Sequence, residues 1–66
     1  MSHVDRMKVE HRELKVKVDA LNAFIHGNEI FSKLDDIERA DMIKQCGHME
    51  SYLSVLERRI WRAVEQ

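Results

Sequence analysis

The sequence predicts an all-α fold: an antiparallel two-helix hairpin with a short helical connector, which dimerises into a four-helix bundle. Three observations predict this fold class. Proline is absent and only two glycines occur among 66 residues, so little interrupts a helix. Two long stretches carry apolar residues at heptad spacing, and a turn signal separates them. The whole chain, residues 1–66, is expected to form a single domain.

The first predicted helix covers residues 3–26. Its apolar stripe recurs at alternating spacings of three and four, which keeps one side directed at a partner helix. The stripe consists of Val4, Met7, His11, Leu14, Val18, Leu21 and Ile25. Ser2 and Asp5 indicate a capping box at the start of this helix. Gly27 and Asn28 are expected to end it by adopting the left-handed conformation that terminates many helices.

The connector, residues 27–35, is expected to contain a short turn of helix. It holds three large apolar side chains, Ile30, Phe31 and Leu34, which a polar loop would not carry. We expect them to fold back and cover the end of the hairpin. A connection this short favours antiparallel neighbours.

The second predicted helix covers residues 36–64, and Asp35 with Glu38 indicates a capping box at its start. The heptad spacing continues here without interruption. This stripe consists of Met42, Cys46, Met49, Leu53, Leu56, Ile60 and Ala63. Gly47 lies inside the helix, where it is expected to permit close approach of a neighbouring helix or a slight bend.

Several apolar side chains lie off both stripes, and a two-helix hairpin cannot cover them. A chain this short buries only about 60% of the surface that its unfolded form exposes. One cysteine allows no internal disulfide, so self-association is the expected stabiliser. The alternative is that the smaller side chains are isolated exposed residues, which protein surfaces tolerate. The residues predicted to form a self-association or partner interface are Val9, Val16, Phe24, Tyr52, Val55 and Trp61.

The charge pattern argues against a protein that mainly neutralises phosphate backbones. Eleven basic and twelve acidic residues give a net charge of −1. One local basic-aromatic cluster remains, made up of Arg58, Arg59, Trp61 and Arg62. These arginines are the possible nucleic-acid contacts, although the cluster would equally suit an anchor of a protein interface. Because the sequence lacks a membrane span and a signal-peptide core, we expect a cytoplasmic protein.

No sequence feature indicates a catalytic, cofactor or metal site. A Gly-rich phosphate loop, a nucleophile elbow and an HExxH motif are all missing. His11 lies on the first stripe, opposite the expected position of Tyr52, and is interpreted as a packed histidine with a hydrogen-bond partner. Cys46 is interpreted as an inert core thiol. The chain is therefore predicted to be a binding protein without enzymatic activity or a cofactor.

A further set of residues carries a resemblance to known proteins. They are Glu13, Leu14, Lys17, Leu21, Phe24, Ile25, Phe31, Leu34, Gln45, Met49, Tyr52, Val55, Leu56 and Arg58. This pattern resembles small helical proteins encoded by tailed bacteriophages, and it is similar in particular to the short early proteins of the lambdoid phage exo–xis region. The resemblance covers residues 10–60, and the Phe-x-x-Leu connector is among its most distinctive parts. Asp35 stands where that group favours proline, although both residues can start a helix.

The resemblance implies a phage early protein that acts in the cytoplasm of the host bacterium. It further implies an effect on host physiology or on the choice between lysis and lysogeny. The predicted function is accordingly a dimeric interaction module that binds a host or phage regulatory protein. Two alternatives remain open: a nucleic-acid-binding regulator, and an oligomeric sponge that holds a small signalling nucleotide between its subunits.

Overall fold

The computed structural model describes residues 2–65, and its three secondary-structure elements are all helices. Helix α1 spans His3–Gly27, α2 spans Glu29–Lys33 and α3 spans Asp36–Glu65. The two long helices pack against each other, and α2 connects them at one end, which we call the loop end. The opposite end, where α1 begins and α3 finishes, is the open end. The prediction of an all-α helical hairpin is confirmed.

The two heptad stripes meet along the middle of the hairpin. Every side chain of both stripes is buried or half-buried. The least exposed are Met7, Leu14, Val18, Cys46 and Leu56, and Leu56 has no exposed surface at all, at 0%. Because the stripes lie on the facing sides of α1 and α3, this narrow core joins the helices over their length.

Both long helices begin at the side-chain caps that the sequence indicated. The Ser2 hydroxyl accepts a hydrogen bond from the backbone N–H of Asp5 at 3.0 Å. The Asp35 carboxylate accepts one from the backbone N–H of Glu38 at 2.7 Å. Each bond satisfies a donor in the first turn that has no partner within its helix. In each predicted capping box, the hydrogen bond from the backbone N–H to the side chain of the capping residue is therefore confirmed.

Helix α1 ends by a different mechanism from the one predicted. Neither Gly27 nor Asn28 has a positive φ; Asn28 is extended, with φ −105° and ψ 128°. Its side-chain oxygen accepts a hydrogen bond from the backbone N–H of Ile30 at 2.8 Å. The prediction that α1 ends in a left-handed conformation was wrong. Asn28 is the N-cap of α2, and an N-cap residue takes an extended backbone.

The connector covers the loop end only in part. The ring of Phe31 packs edge-on against the ring of Phe24, with centroids 6.0 Å apart. Leu34 is half-buried as well, whereas Ile30 remains 59% exposed. Neighbouring residues of a helix point about 100° apart, so Ile30 and Phe31 cannot both face the hairpin. The expected burial was wrong for Ile30.

The register of the two long helices is shifted relative to the sequence prediction. The Nε2 atom of His11 lies 2.9 Å from a carboxylate oxygen of Glu57, not beside Tyr52. Residues 11 and 57 are equally far along the chain from Leu34, so the chain reverses direction around Leu34. The reversal comes later than the sequence predicted because α2 adds a helical turn before α3 begins. Gly47 also differs from expectation: a Cβ atom there would meet nothing within 4 Å, so no helix of the hairpin approaches it closely.

Candidate functional site

The exposed residues of interest divide between two sides of the hairpin. Tyr52 and Trp61 lie nine positions apart on α3, which places their side chains about 180° from each other at about 100° per residue. We call the side around Trp61, near the open end, the Trp61 edge. The side that carries Phe24, Tyr52 and Val55 is the Phe24 face.

The Trp61 edge contains two shallow concavities separated by the indole of Trp61, which is 65% exposed. The first has a volume of about 230 Å³ and is lined by Lys8, His11, Glu57, Ile60, Trp61 and Val64. The second has a volume of about 480 Å³ and is lined by Ser54, Glu57, Arg58, Trp61 and Arg62. The first lies between the helices, whereas the second belongs to α3 alone.

An ion pair or hydrogen bond between the helices borders the first concavity. It joins His11 to Glu57 at 2.9 Å, with His11 half-buried and Glu57 exposed. A contact this exposed contributes at most about 1 kcal/mol to stability. It nevertheless links α1 to α3 within the lining of the concavity that Trp61 also borders, so it helps to set the shape of this edge.

The second concavity combines an aromatic surface with two cationic groups. Arg58 and Arg62 lie four positions apart, so they share one side of α3. Trp61 stands beside both of them, and an exposed indole can stack on a planar ring. Guanidinium groups bind phosphate or carboxylate oxygens in a bidentate geometry. Arg59 does not line this concavity, so the predicted basic cluster is only partly brought together.

The Phe24 face is an apolar surface that runs across both helices. A groove of about 540 Å³ is lined by Lys17, Ala20, Leu21, Phe24, Met42, Gln45 and Met49. Tyr52 lies seven positions after Gln45, so it extends this surface along α3, and Val55 lies beside Tyr52, turned further towards the outside of the hairpin. Both side chains are exposed. This face holds three of the six residues predicted for an interface.

The other predicted interface residues lie elsewhere. Trp61 is on the opposite edge, as described above. Val9 and Val16 are seven positions apart on α1 and lie on its outer surface, away from α3; Val9 is half-buried and Val16 is exposed. The structure therefore does not bring the six residues into one continuous patch, and a single flat interface cannot contain them all.

Comparison with known proteins assigns the chain to a family. The family model described as Sequestin matches residues 1–62. The chain belongs to the Sequestin family. Its name indicates a binding or sequestering role, which is compatible with the binding protein that the sequence predicts. No curated protein and no solved structure matches the chain.

This member of the Sequestin family also contains a polar cluster that sequence reasoning missed. The Cys46 sulfur lies 3.3 Å from the side-chain oxygen of Asn22 and 3.2 Å from a carboxylate oxygen of Glu50, and its single proton can reach either. Burial, followed by the hydrogen bond and charge of Glu50, raises the pKa of the Cys46 thiol above its ordinary value. A neutral, buried thiol is a poor nucleophile, so Cys46 acts in packing.

The helices show neither a metal cluster nor a membrane span. Among residues 2–65, no three His, Cys, Asp or Glu side chains are grouped closely enough to hold a metal ion. Over the same residues, no helix combines the length and the apolar character needed to cross a membrane.

Proposed function

We propose that this protein is a non-catalytic sponge, which binds a small phosphorylated nucleotide at the Trp61 edge and releases it unaltered. Membership of the Sequestin family supports a sequestering role. The observation that carries the proposal is the grouping of Arg58, Trp61 and Arg62 around one concavity of about 480 Å³.

Each side chain of this concavity matches one part of a nucleotide. A base can stack on the indole of Trp61, and such stacking contributes about 1–3 kcal/mol per base. The guanidinium groups of Arg58 and Arg62 can bind the phosphate oxygens. The hydroxyl of Ser54 and the carboxylate of Glu57 can hydrogen-bond to the sugar or to an amino group of the base. All these residues belong to one helix, so each subunit supplies a complete site.

The biological setting follows from the same proposal. A protein that binds a signalling nucleotide in stoichiometric amounts lowers the free concentration of that signal and thereby alters host physiology. We propose that it acts in the bacterial cytoplasm as a homodimer, and that it is a phage early protein. The phage resemblance of the Phe-x-x-Leu connector and of the residues Gln45, Met49 and Tyr52 supports this origin.

The test uses Trp61 as its own reporter. It is the sole tryptophan of the chain, so its fluorescence responds directly to a ring stacked on it. The protein is titrated with adenine and guanine mononucleotides, with cyclic dinucleotides and with inorganic phosphate. We expect at least one nucleotide to quench the fluorescence in a saturable manner and to raise the melting temperature. Chromatography of the ligand after heat denaturation should recover it intact.

Matched variants show whether the proposed side chains are responsible. The double variant Arg58→Ser/Arg62→Ser should lose the quenching and the thermal shift, because both phosphate-binding groups are gone. Arg12→Ser, an exposed arginine on α1, serves as the control and should bind like the parent. If no nucleotide shifts the melting temperature, or if the double variant binds as tightly as the control, the sponge proposal fails.

A protein target is the second candidate, and exposed aliphatic side chains away from the Trp61 edge favour it. Val16 on α1 and Ile37 at the start of α3 are 65% and 76% exposed. A dimeric interaction module could use them to bind a host or phage regulatory protein. Affinity capture with nuclease treatment separates the candidates: a protein target should be lost with Val16→Glu and retained with Trp61→Ala, whereas the sponge predicts no such retained protein.

A further inference from the structure

One stripe of α3 on the Phe24 face changes in character along its length. Its members recur at steps of three or four, so they share one side of the helix. In order they are Glu38, Asp41, Gln45, His48, Tyr52, Val55 and Arg59, all of them exposed. The stripe is acidic near the loop end, polar and then apolar in the middle, and basic towards the open end.

We propose that a second copy of this chain docks on the Phe24 face, with the two α3 helices antiparallel about a two-fold axis level with residue 50. Asp41 and Arg59 lie at equal distances on either side of that level. In the antiparallel arrangement Asp41 therefore faces Arg59 of the partner subunit, and symmetry repeats the pair. Near the axis, Tyr52 then faces His48 of the partner subunit, and Val55 faces Gln45 of the partner subunit at the edge of the groove.

The charge pattern selects this arrangement over the parallel one. In a parallel pairing Asp41 would face Asp41 of the partner subunit, and Arg59 would face Arg59 of the partner subunit. Like charges brought together across an interface cost several kcal/mol in general, whereas opposite charges fix the register. The stripe is therefore complementary to a reversed copy of itself, which is the requirement for a two-fold interface.

The size of the face also suits a second copy. The Cα envelope of the hairpin measures 48 × 15 × 15 Å. One long side thus presents roughly 700 Å², which approaches the about 800 Å² that each partner contributes to a standard interface. The groove between Phe24, Met42 and Met49 lies on the loop-end side of the axis, where it faces the stripe around Val55 of the partner subunit, so the interface has one apolar contact on each side of the axis. This interface does not depend on the proposed nucleotide site, because Trp61 lies on the opposite side.

A charge exchange tests the arrangement without disturbing the fold. Sedimentation equilibrium is run on the parent chain, on Asp41→Arg, on Arg59→Asp and on the variant that combines both changes. Asp19→Arg and Arg12→Asp are the controls, because they make the same charge changes at exposed positions of α1 away from the Phe24 face. Circular dichroism of each variant checks that the helices are retained.

The proposal expects a parent dimer at micromolar concentration. Each single change should raise the dimer dissociation constant at least about tenfold, and the combined variant should return to within about threefold of the parent. The controls should match the parent. A monomeric parent, single variants that dimerise like their controls, or a combined variant as weak as the single ones would each overturn the proposed pairing.

Discussion

The Phe24 face and the Trp61 edge lie on opposite sides of the same hairpin, yet they differ in chemistry. The Phe24 face carries an apolar groove across both helices, and the stripe of α3 beside it has Asp41 towards the loop end and Arg59 towards the open end. The Trp61 edge has an exposed indole with the apolar side chains of Ile60 and Val64 beside it in one concavity and charged side chains beside it in the other, and both concavities are shallow. A broad apolar surface suits a protein partner, whereas an exposed ring beside two guanidinium groups suits a small anion. The comparison indicates that assembly and ligand binding are separable.

The largest effect is expected in the core that supports both surfaces. Leu56 is fully buried, so Leu56→Ala should lower the free energy of unfolding by about 2–5 kcal/mol. Leu14→Ala should approach this loss, whereas Leu53→Ala should cost less because Leu53 is only half-buried. Urea denaturation followed by circular dichroism measures the three values. Equal losses of unfolding free energy in Leu53→Ala and Leu56→Ala would contradict the difference in burial between these two residues of the α3 stripe.

The next effect separates the two surfaces directly. Trp61→Ala should weaken nucleotide binding by more than about 2 kcal/mol, as truncation of an anchoring tryptophan commonly does. Self-association should persist, because Trp61 lies opposite the Phe24 face. From the sequence alone we expected the same change to weaken self-association, so the variant distinguishes the two accounts. Isothermal titration measures nucleotide binding, and sedimentation measures self-association. If the Trp61→Ala variant is monomeric, the dimer interface includes the Trp61 edge and its proposed location on the Phe24 face is wrong.

A smaller effect concerns Gly47, which shares its heptad position with Ser54 and Trp61. A Cβ atom at this position meets no neighbour within 4 Å. Gly47→Ala should therefore raise the free energy of unfolding by about 1 kcal/mol, through helix propensity alone. Thermal melting with Ala40→Gly as the reverse control in the same helix measures the gain. A loss of stability or of dimerisation would mean that the space beside Gly47 is occupied in the assembly.

The smallest effect is a dependence on alkaline pH. Because the Cys46 thiol has a raised pKa in the folded state, the unfolded chain loses this proton at a lower pH. The folded state then binds more protons, so its stability falls as the pH rises above the ordinary thiol value of 9.0. Cys46→Ala should remove this part of the slope in denaturation curves measured on both sides of that pH. An unchanged slope would show that other groups cause it.

Local sequence features were sufficient to predict the fold. The heptad stripes specify which side of each helix is buried, and Ser2 and Asp35 mark the two starts through bonds to residues three positions later. The register was not predictable in this way, since it depends on how Asn28 caps α2 and on where α3 begins. For the same reason the pairing of His11 with Glu57 was missed.

The candidate site was predicted less completely than the fold. Trp61, Arg58 and Arg62 could be named because they are close in sequence and fall on one helix. The separation of Trp61 from Tyr52 follows from their nine-residue spacing, so the sequence already contained it. It was missed because the six interface residues were chosen for apolar character and were not sorted by their position around each helix. Asn22 joins Cys46 and Glu50 only through the observed register, so no local signal identified it.

Native mass spectrometry tests the central claim most directly, because one spectrum reports both subunit number and bound ligand. Parent protein, Trp61→Ala and Tyr52→Glu are each sprayed with the nucleotide that gives the strongest thermal shift. Our account predicts a ligand-loaded dimer for the parent, a ligand-free dimer for Trp61→Ala and a ligand-loaded monomer for Tyr52→Glu. A Trp61→Ala protein that still carries the nucleotide, or a Tyr52→Glu protein that remains dimeric, would contradict the assignment of the two surfaces.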